Sequence, residues 1–143
     1  MSVFEWMTLP YRRYAEFSGR SRRKEYWLFV LFYFVLSAVI DAVFGKPVSQ
    51  SGPFGFHYGI WLAQGSPGYW VSMVISLGSI IPSIAVQVRR LHDVDRSGWW
   101  MLLWFVPVLG WTVILVFLCL DGTRGGNSYG FDPKGRGVAE VFE

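Results

Sequence analysis

The stretch Arg89-Arg90-Leu91-His92-Asp93-Val94-Asp95-Arg96-Ser97-Gly98-Trp99-Trp100 sets a dense block of ionisable side chains between two long apolar runs. Upstream, Tyr69 to Val88 carries no charge, and downstream, Trp99 to Leu120 carries none. A helix needs roughly 20 mostly apolar residues to cross a hydrocarbon core of about 30 Å, and both runs are that long. The charged block therefore reads as a loop at a membrane surface. A third run, Tyr26 to Phe44, has a similar length and one charge, Asp41, whose place near the end suits an interfacial position better than an ion relay.

Composition agrees. The chain has 143 residues, 16% charged and 19% aromatic, whereas a soluble domain carries about 25% charged residues. The length suits one domain. The formal net charge is +3, but the cations flank apolar runs instead of lining a groove, so they speak for membrane orientation and against nucleic acid. No cleavable signal peptide is expected, because the first apolar run follows six Lys/Arg and lacks a small-residue cleavage site. The lone Cys119 lies in an apolar run and reads as a small hydrophobe.

The expected fold is an all-α integral membrane protein. An interfacial helix occupies residues 1–19, with Met7, Tyr11 and Tyr14 at helical spacing and Arg12, Arg13 and Glu16 turned to water or headgroups. Ser21 is the expected N-cap of the first span. Two full transmembrane helices follow at 26–44 and 69–88, joined by a Gly- and Pro-rich loop from Gly45 to Gly68 that carries Phe54, Phe56, Tyr58 and Trp61 along the outer interface. Ser76, Ser79 and Ser83 share a face of the second helix, suiting close helix packing, and Pro82 should bend it. The third apolar segment, 99–120, contains Pro107 and Gly110; it is broken there into a helical pair or crosses as one kinked span. A turn-rich polar tail, 121–143, ends the chain.

Orientation follows from Lys and Arg. Six precede the first span and three lie in the Arg89 to Arg96 loop, against Lys46 alone in the opposite loop. Both basic segments are expected to be cytoplasmic, placing the N-terminus inside a multi-pass protein. A helical pair at 99–120 would return the tail, with Arg124, Lys134 and Arg136, to that side; a single crossing would not.

Arg20, Arg22, Arg23, Arg89, Arg90 and Arg96 supply forked donors suited to phosphate or carboxylate oxygens. Glu25, Asp93 and Asp95 can balance them. Two readings follow: a salt-bridged clamp between helices, or a site for anionic lipid headgroups or a partner. Low dielectric near lipid favours internal pairing. His92 beside Asp93 suggests acid–base or metal chemistry, but no nucleophile motif accompanies it and His57 lies in the opposite loop. No catalytic residue, metal centre or cofactor is expected. The tail's Asp121-Gly122-Thr123 to Asp132-Pro133 run lacks calcium-loop spacing and reads as tight turns.

Three blocks taken in order, Phe17-Ser18-Gly19-Arg20-Ser21-Arg22-Arg23-Lys24-Glu25-Tyr26-Trp27, then Arg89 to Asp93 with Arg96 to Trp100, then Gly122-Thr123 through Asn127, Tyr129-Gly130 and Asp132-Pro133, resemble a known family. It is the bacterial family catalogued as domain of unknown function 805, of YhaH/YhaI-like inner membrane proteins, and the likeness covers roughly residues 11 to 134. Arg124, where many relatives have proline, and the long Gly45 to Gly68 loop depart from it. The resemblance implies a small bacterial inner membrane protein and supplies no catalytic residues. The expected function is non-enzymatic, with a basic cytoplasmic face that binds anionic headgroups or a membrane partner. The alternatives are a subunit of an oligomeric transporter or channel, for which a homo-oligomer would be needed, and a membrane enzyme on lipid-linked substrates using His92.

Overall fold

The computed structural model describes residues 2–52, 55–61 and 65–136. Its order is α1 (Val3–Arg12), α2 (Arg23–Phe44), β1 (Lys46–Gly52), β2 (Gly55–Trp61), α3 (Pro67–Asp93), a 3-10 helix (Gly98–Phe105) and α4 (Leu109–Cys119). The spans are helical, as expected of an integral membrane protein. At about 1.5 Å per residue, the 22 residues of α2 and the 27 of α3 each reach across a hydrocarbon core. Their apolar windows are only 11% and 22% buried. A soluble protein would hide such helices in its core, so their uncovered apolar faces are consistent with a membrane protein.

The chain forms two compact units, 1–30 with 81–143, and 31–80. In the second unit, Tyr33 of α2 and Ser76 of α3 share a 3.0 Å hydrogen bond, and the Ser79 hydroxyl donates to the Ile75 carbonyl at 2.7 Å. The serine face of α3 thus meets α2 through the long Tyr33 side chain and not by close approach of the two backbones. The helix continues through Pro82. The expected irregular loop is corrected: β1 and β2 pair antiparallel from Lys46 opposite Trp61 to Gly52 opposite Gly55. A ladder lets this stretch satisfy its own backbone groups. Phe54 lies outside the described residues, as do the side chains of Phe56, Tyr58 and Trp61 and the tail beyond 136.

The first unit holds the core: Tyr26, Phe29, Val86, Ile114 and Leu118 are buried together, with Tyr11 and Leu103 against them. Tyr11 meets Phe29 edge-on at 5.4 Å, docking the α1 end against α2. Ser2 caps α1 in a reciprocal box with Glu5. Ser21 does not cap α2; its hydroxyl makes no hydrogen bond, while its N–H donates to the Arg89 carbonyl at 3.1 Å.

The apolar segment after Gly98 is two short helices, not one kinked span. Val106 is extended, and Val108 has φ 64° and ψ −67°. The Leu109 N–H donates to the Pro107 carbonyl at 2.8 Å, closing a three-residue turn of the rare positive-φ kind. The two pieces then fold back on each other. Trp100 meets Phe117 edge-on at 5.3 Å, and the Trp111 indole donates to the Trp104 carbonyl at 3.0 Å. Gly110 makes that return possible, because a Cβ there would strike the Leu103 carbonyl. Residues 98 and 119 consequently lie at the same end of the pair.

Candidate functional site

Where α2 begins and α3 and α4 end, the chain converges on a buried lattice of ion pairs. Arg89 and Arg90 are 0% exposed and Asp93 is 2%. Charges so far from water persist only when paired. Asp93 is the hub: one carboxylate oxygen accepts from Arg20 Nε at 2.9 Å and the other from Arg90 Nη1 at 2.6 Å.

Arg20 spends its other donors on the tail. Nη1 reaches the Gly125 and Gly130 carbonyls at 2.7 and 3.3 Å, and Nη2 the Thr123 carbonyl at 2.6 Å and the Asp93 carbonyl at 3.3 Å. The Asp93 carbonyl also accepts the Thr123 N–H at 2.9 Å. Gly122 passes so close to Asp93 that a Cβ would overlap its carboxylate. Arg90 closes α4 instead: Nε donates to the Leu118 carbonyl at 3.3 Å and Nη2 to that of Leu120, while Arg23 takes the Cys119 carbonyl at 3.2 Å. Two guanidinium groups thus cap three orphan carbonyls at the negative end of a helix.

Glu25 and Arg89 form a second pair, Nη2 to Oε1 at 3.0 Å. Arg89 Nη1 stands 3.9 Å from Glu16, and Arg13 stands 4.0 Å from Glu25. Arg13 also grips Glu16 with both Nε and Nη2, at 2.7 and 2.6 Å. That bond raises the Arg13 pKa and lowers the Glu16 carboxyl below its ordinary value. Glu25 offsets part of the repulsion of Arg23 and Lys24 in the first turn of α2.

The remaining expected residues divide. His92 donates its Nδ1–H to the Gly19 carbonyl, 3.2 Å away, and stacks on Tyr129 at 3.9 Å. Arg22 reaches the Pro133 carbonyl and lies over the Trp6 ring with Lys24, at 5.6 and 5.7 Å. Asp95 balances no arginine among the described residues; at φ 56° it accepts the Ser128 N–H at 3.3 Å. Arg96 also has no carboxylate partner among the described residues, and sits over the Trp100 and Phe117 rings at 5.8 and 5.7 Å.

Sequence reasoning missed Arg13 and Glu16, read as water-facing, and the anchors of the tail. Asp121 pairs with Arg23 at 3.3 Å, Arg136 at 2.9 Å and Lys134. Asp132 pairs with Arg136 at 2.8 Å; their four-residue spacing was the available signal. The hydrogen bond from Lys134 chiefly holds the Asp121 carboxyl at about 2. The carbonyls that Arg20 collects leave no trace in side-chain identity. Among the described residues no group of three or more His, Cys, Asp or Glu could hold a metal ion.

Comparison with known proteins places this arrangement in context. The family model described as protein of unknown function (DUF805) matches residues 14–131. The chain is 42% identical over 130 residues to inner membrane protein YhaI of Escherichia coli strain K12, covering 91% of this chain and 96% of that protein. It is 40% identical over 134 residues to inner membrane protein YhaH of the same strain, covering 91% and 97%. The uncharacterized protein YiiR of that strain is 26% identical over 161 residues, 94% of this chain and 92% of that one. No solved structure matches the chain.

Proposed function

The chain belongs to the DUF805 family, and from that premise we propose that it is a multi-pass, non-enzymatic inner membrane protein whose basic end faces the cytoplasm and engages anionic headgroups. The returning 98–119 pair supports the orientation: with the tail bound to Arg20, twelve of the thirteen Lys/Arg belong to the segments that meet there, the condition the positive-inside rule favours.

The observation that carries the headgroup reading is the pairing of aromatics with cations that have no carboxylate partner among the described residues, Arg22 and Lys24 over Trp6 and Arg96 over Trp100. Indole rings settle at headgroup level, and cations held beside them meet lipid phosphates there. The deeper arginines, Arg20, Arg89 and Arg90, are committed to carboxylates and carbonyls, which supports a clamp role for them. His92, stacked and bonded to backbone, suits positioning better than proton transfer. The test is flotation with vesicles of phosphatidylglycerol or phosphatidylcholine. Replacing Arg12, Lys24 and Arg124, all exposed, by Gln should weaken the preference for the anionic vesicles several-fold and leave the fold intact; an unchanged preference rejects the reading.

A second reading, a subunit of a homo-oligomeric transporter, is favoured by one feature. The irregular turn at Val106 to Leu109 is exposed on the single chain, whereas non-helical backbone at membrane depth is tolerated where protein covers it or a cavity adjoins it. A monomeric particle without solute flux in liposomes removes this reading.

A further inference from the structure

Beside the 3-10 helix run two adjoining hollows. One, of about 400 Å³, is lined by Ser97, Trp99, Trp100, Leu102, Leu103 and Val106. The other, of about 340 Å³, shares Ser97, Trp99 and Leu102 and adds His92, Gly98 and Met101. The groove therefore has an apolar end, walled by indoles and aliphatic side chains, and a polar end at His92 and Ser97. Its size falls in the range of small-molecule sites, and its two-part lining matches an amphiphile.

Charge supplies the other half of the argument. Most arginines of this end are neutralised, Arg13 by Glu16, Arg20 and Arg90 by Asp93, Arg23 and Arg136 by Asp121, and Arg89 by Glu25. Arg96 is different: exposed, without a carboxylate among the described residues, and lying over two rings, one of which, Trp100, is a wall of the groove. Ser97 Oγ accepts the Trp99 N–H, leaving its own O–H to donate. A positive group over the Trp100 wall, a hydroxyl in the lining and an apolar trough are complementary to a phosphodiester bearing an acyl chain.

We propose that this groove is a discrete binding site for one anionic phospholipid, its phosphate paired with Arg96 and Ser97 and one acyl chain lying along Trp99, Leu102, Leu103 and Val106. The proposal deepens the headgroup reading and rests on it for the level of this end in the membrane. It differs in stoichiometry, because diffuse attraction by Arg12, Lys24 and Arg124 holds no particular lipid, whereas the groove holds one.

Native mass spectrometry of the delipidated full chain with added phosphatidylglycerol tests it. One lipid per chain should survive activation that strips the rest, with phosphatidylcholine held about tenfold more weakly and diacylglycerol or inorganic phosphate alone not retained. Arg96→Gln, a surface change that leaves the lattice untouched, should weaken the retained lipid about tenfold. Leu102→Trp, filling the trough, should abolish it. The Arg12, Lys24 and Arg124 triple variant should keep the retained lipid while its vesicle preference weakens, which separates the two readings. Equal retention of phosphatidylglycerol by wild type and Arg96→Gln overturns the site, as does equal retention of diacylglycerol.

Discussion

Asp93 occupies a position where one carboxylate serves two fully enclosed guanidinium groups. Replacing it with Asn keeps the shape and removes the charge, leaving Arg20 and Arg90 buried without a counter-ion. Breaking a buried pair in this way costs about 3–5 kcal/mol, so Asp93→Asn should lower the unfolding midpoint in detergent steeply; a loss below about 1 kcal/mol, the scale of a surface pair, would show that the carbonyls alone suffice. Asp121 tests the same logic in a wetter place. Its carboxyl is held at about 2, chiefly by Lys134 and further by Arg23 and Arg136, against an ordinary 3.8. A depressed carboxyl contributes stability above its unfolded value, and that contribution fades as pH falls from about 4 through 2. Because the side chain is open to solvent, the contribution is small, and it should appear locally: pepsin cleavage near Phe131 accelerates between pH 4 and pH 2 beyond that of an unfolded control. Asp121→Asn should be cleaved readily already at pH 4, and equal resistance to wild type there would remove Asp121 as the tail's anchor.

The element scale turns on the break between the 3-10 helix and α4, and two neighbouring positions should respond with opposite signs. Val108 is a β-branched residue at φ 64°, a strain of roughly 1–3 kcal/mol, whereas glycine adopts that conformation freely at an entropic cost of about 0.5–1 kcal/mol. Val108→Gly should therefore raise the unfolding midpoint, by about 1 kcal/mol of stability. Gly110→Ala should lower it by about 1–3 kcal/mol, since the added methyl meets the Leu103 carbonyl. Thermal scans of the two variants decide it, and equal shifts in one direction would mean that the return is not built as described. The break itself was legible: proline restrains Val106, glycine three residues on permits a close approach, and charge asymmetry prefers the tail returned. The β1–β2 hairpin was not, because Lys46 to Gly52 is polar and turn-rich without the alternation that marks a half-buried strand. Pairing, not patterning, makes it a strand.

For the whole molecule, the same contrast explains the site. Three polar motifs separated by apolar runs pointed to one face, and Arg20, Arg22, Arg23, Glu25, Arg89, Arg90, His92 and Asp93 do meet there. What the sequence could not yield is which partner each takes, since much of the lattice is backbone: Arg20 alone collects carbonyls of Asp93, Thr123, Gly125 and Gly130. Those bonds tie a segment before the first span to one after the last, and so carry a topological consequence. Residues 18 and 128 must lie on one side of the membrane, whichever side that is. In a Cys119→Ser background, Ser18→Cys and Ser128→Cys should be labelled together by a membrane-impermeant maleimide: both protected in intact spheroplasts and both modified in inverted vesicles if the basic end is cytoplasmic. Joint labelling from the outside would keep the fold and reverse the orientation. Labelling of residue 128 from the side opposite residue 18 would break the Arg20 lattice and the returning 98–119 pair at once, because a tail across the membrane cannot supply the carbonyls that Arg20 holds.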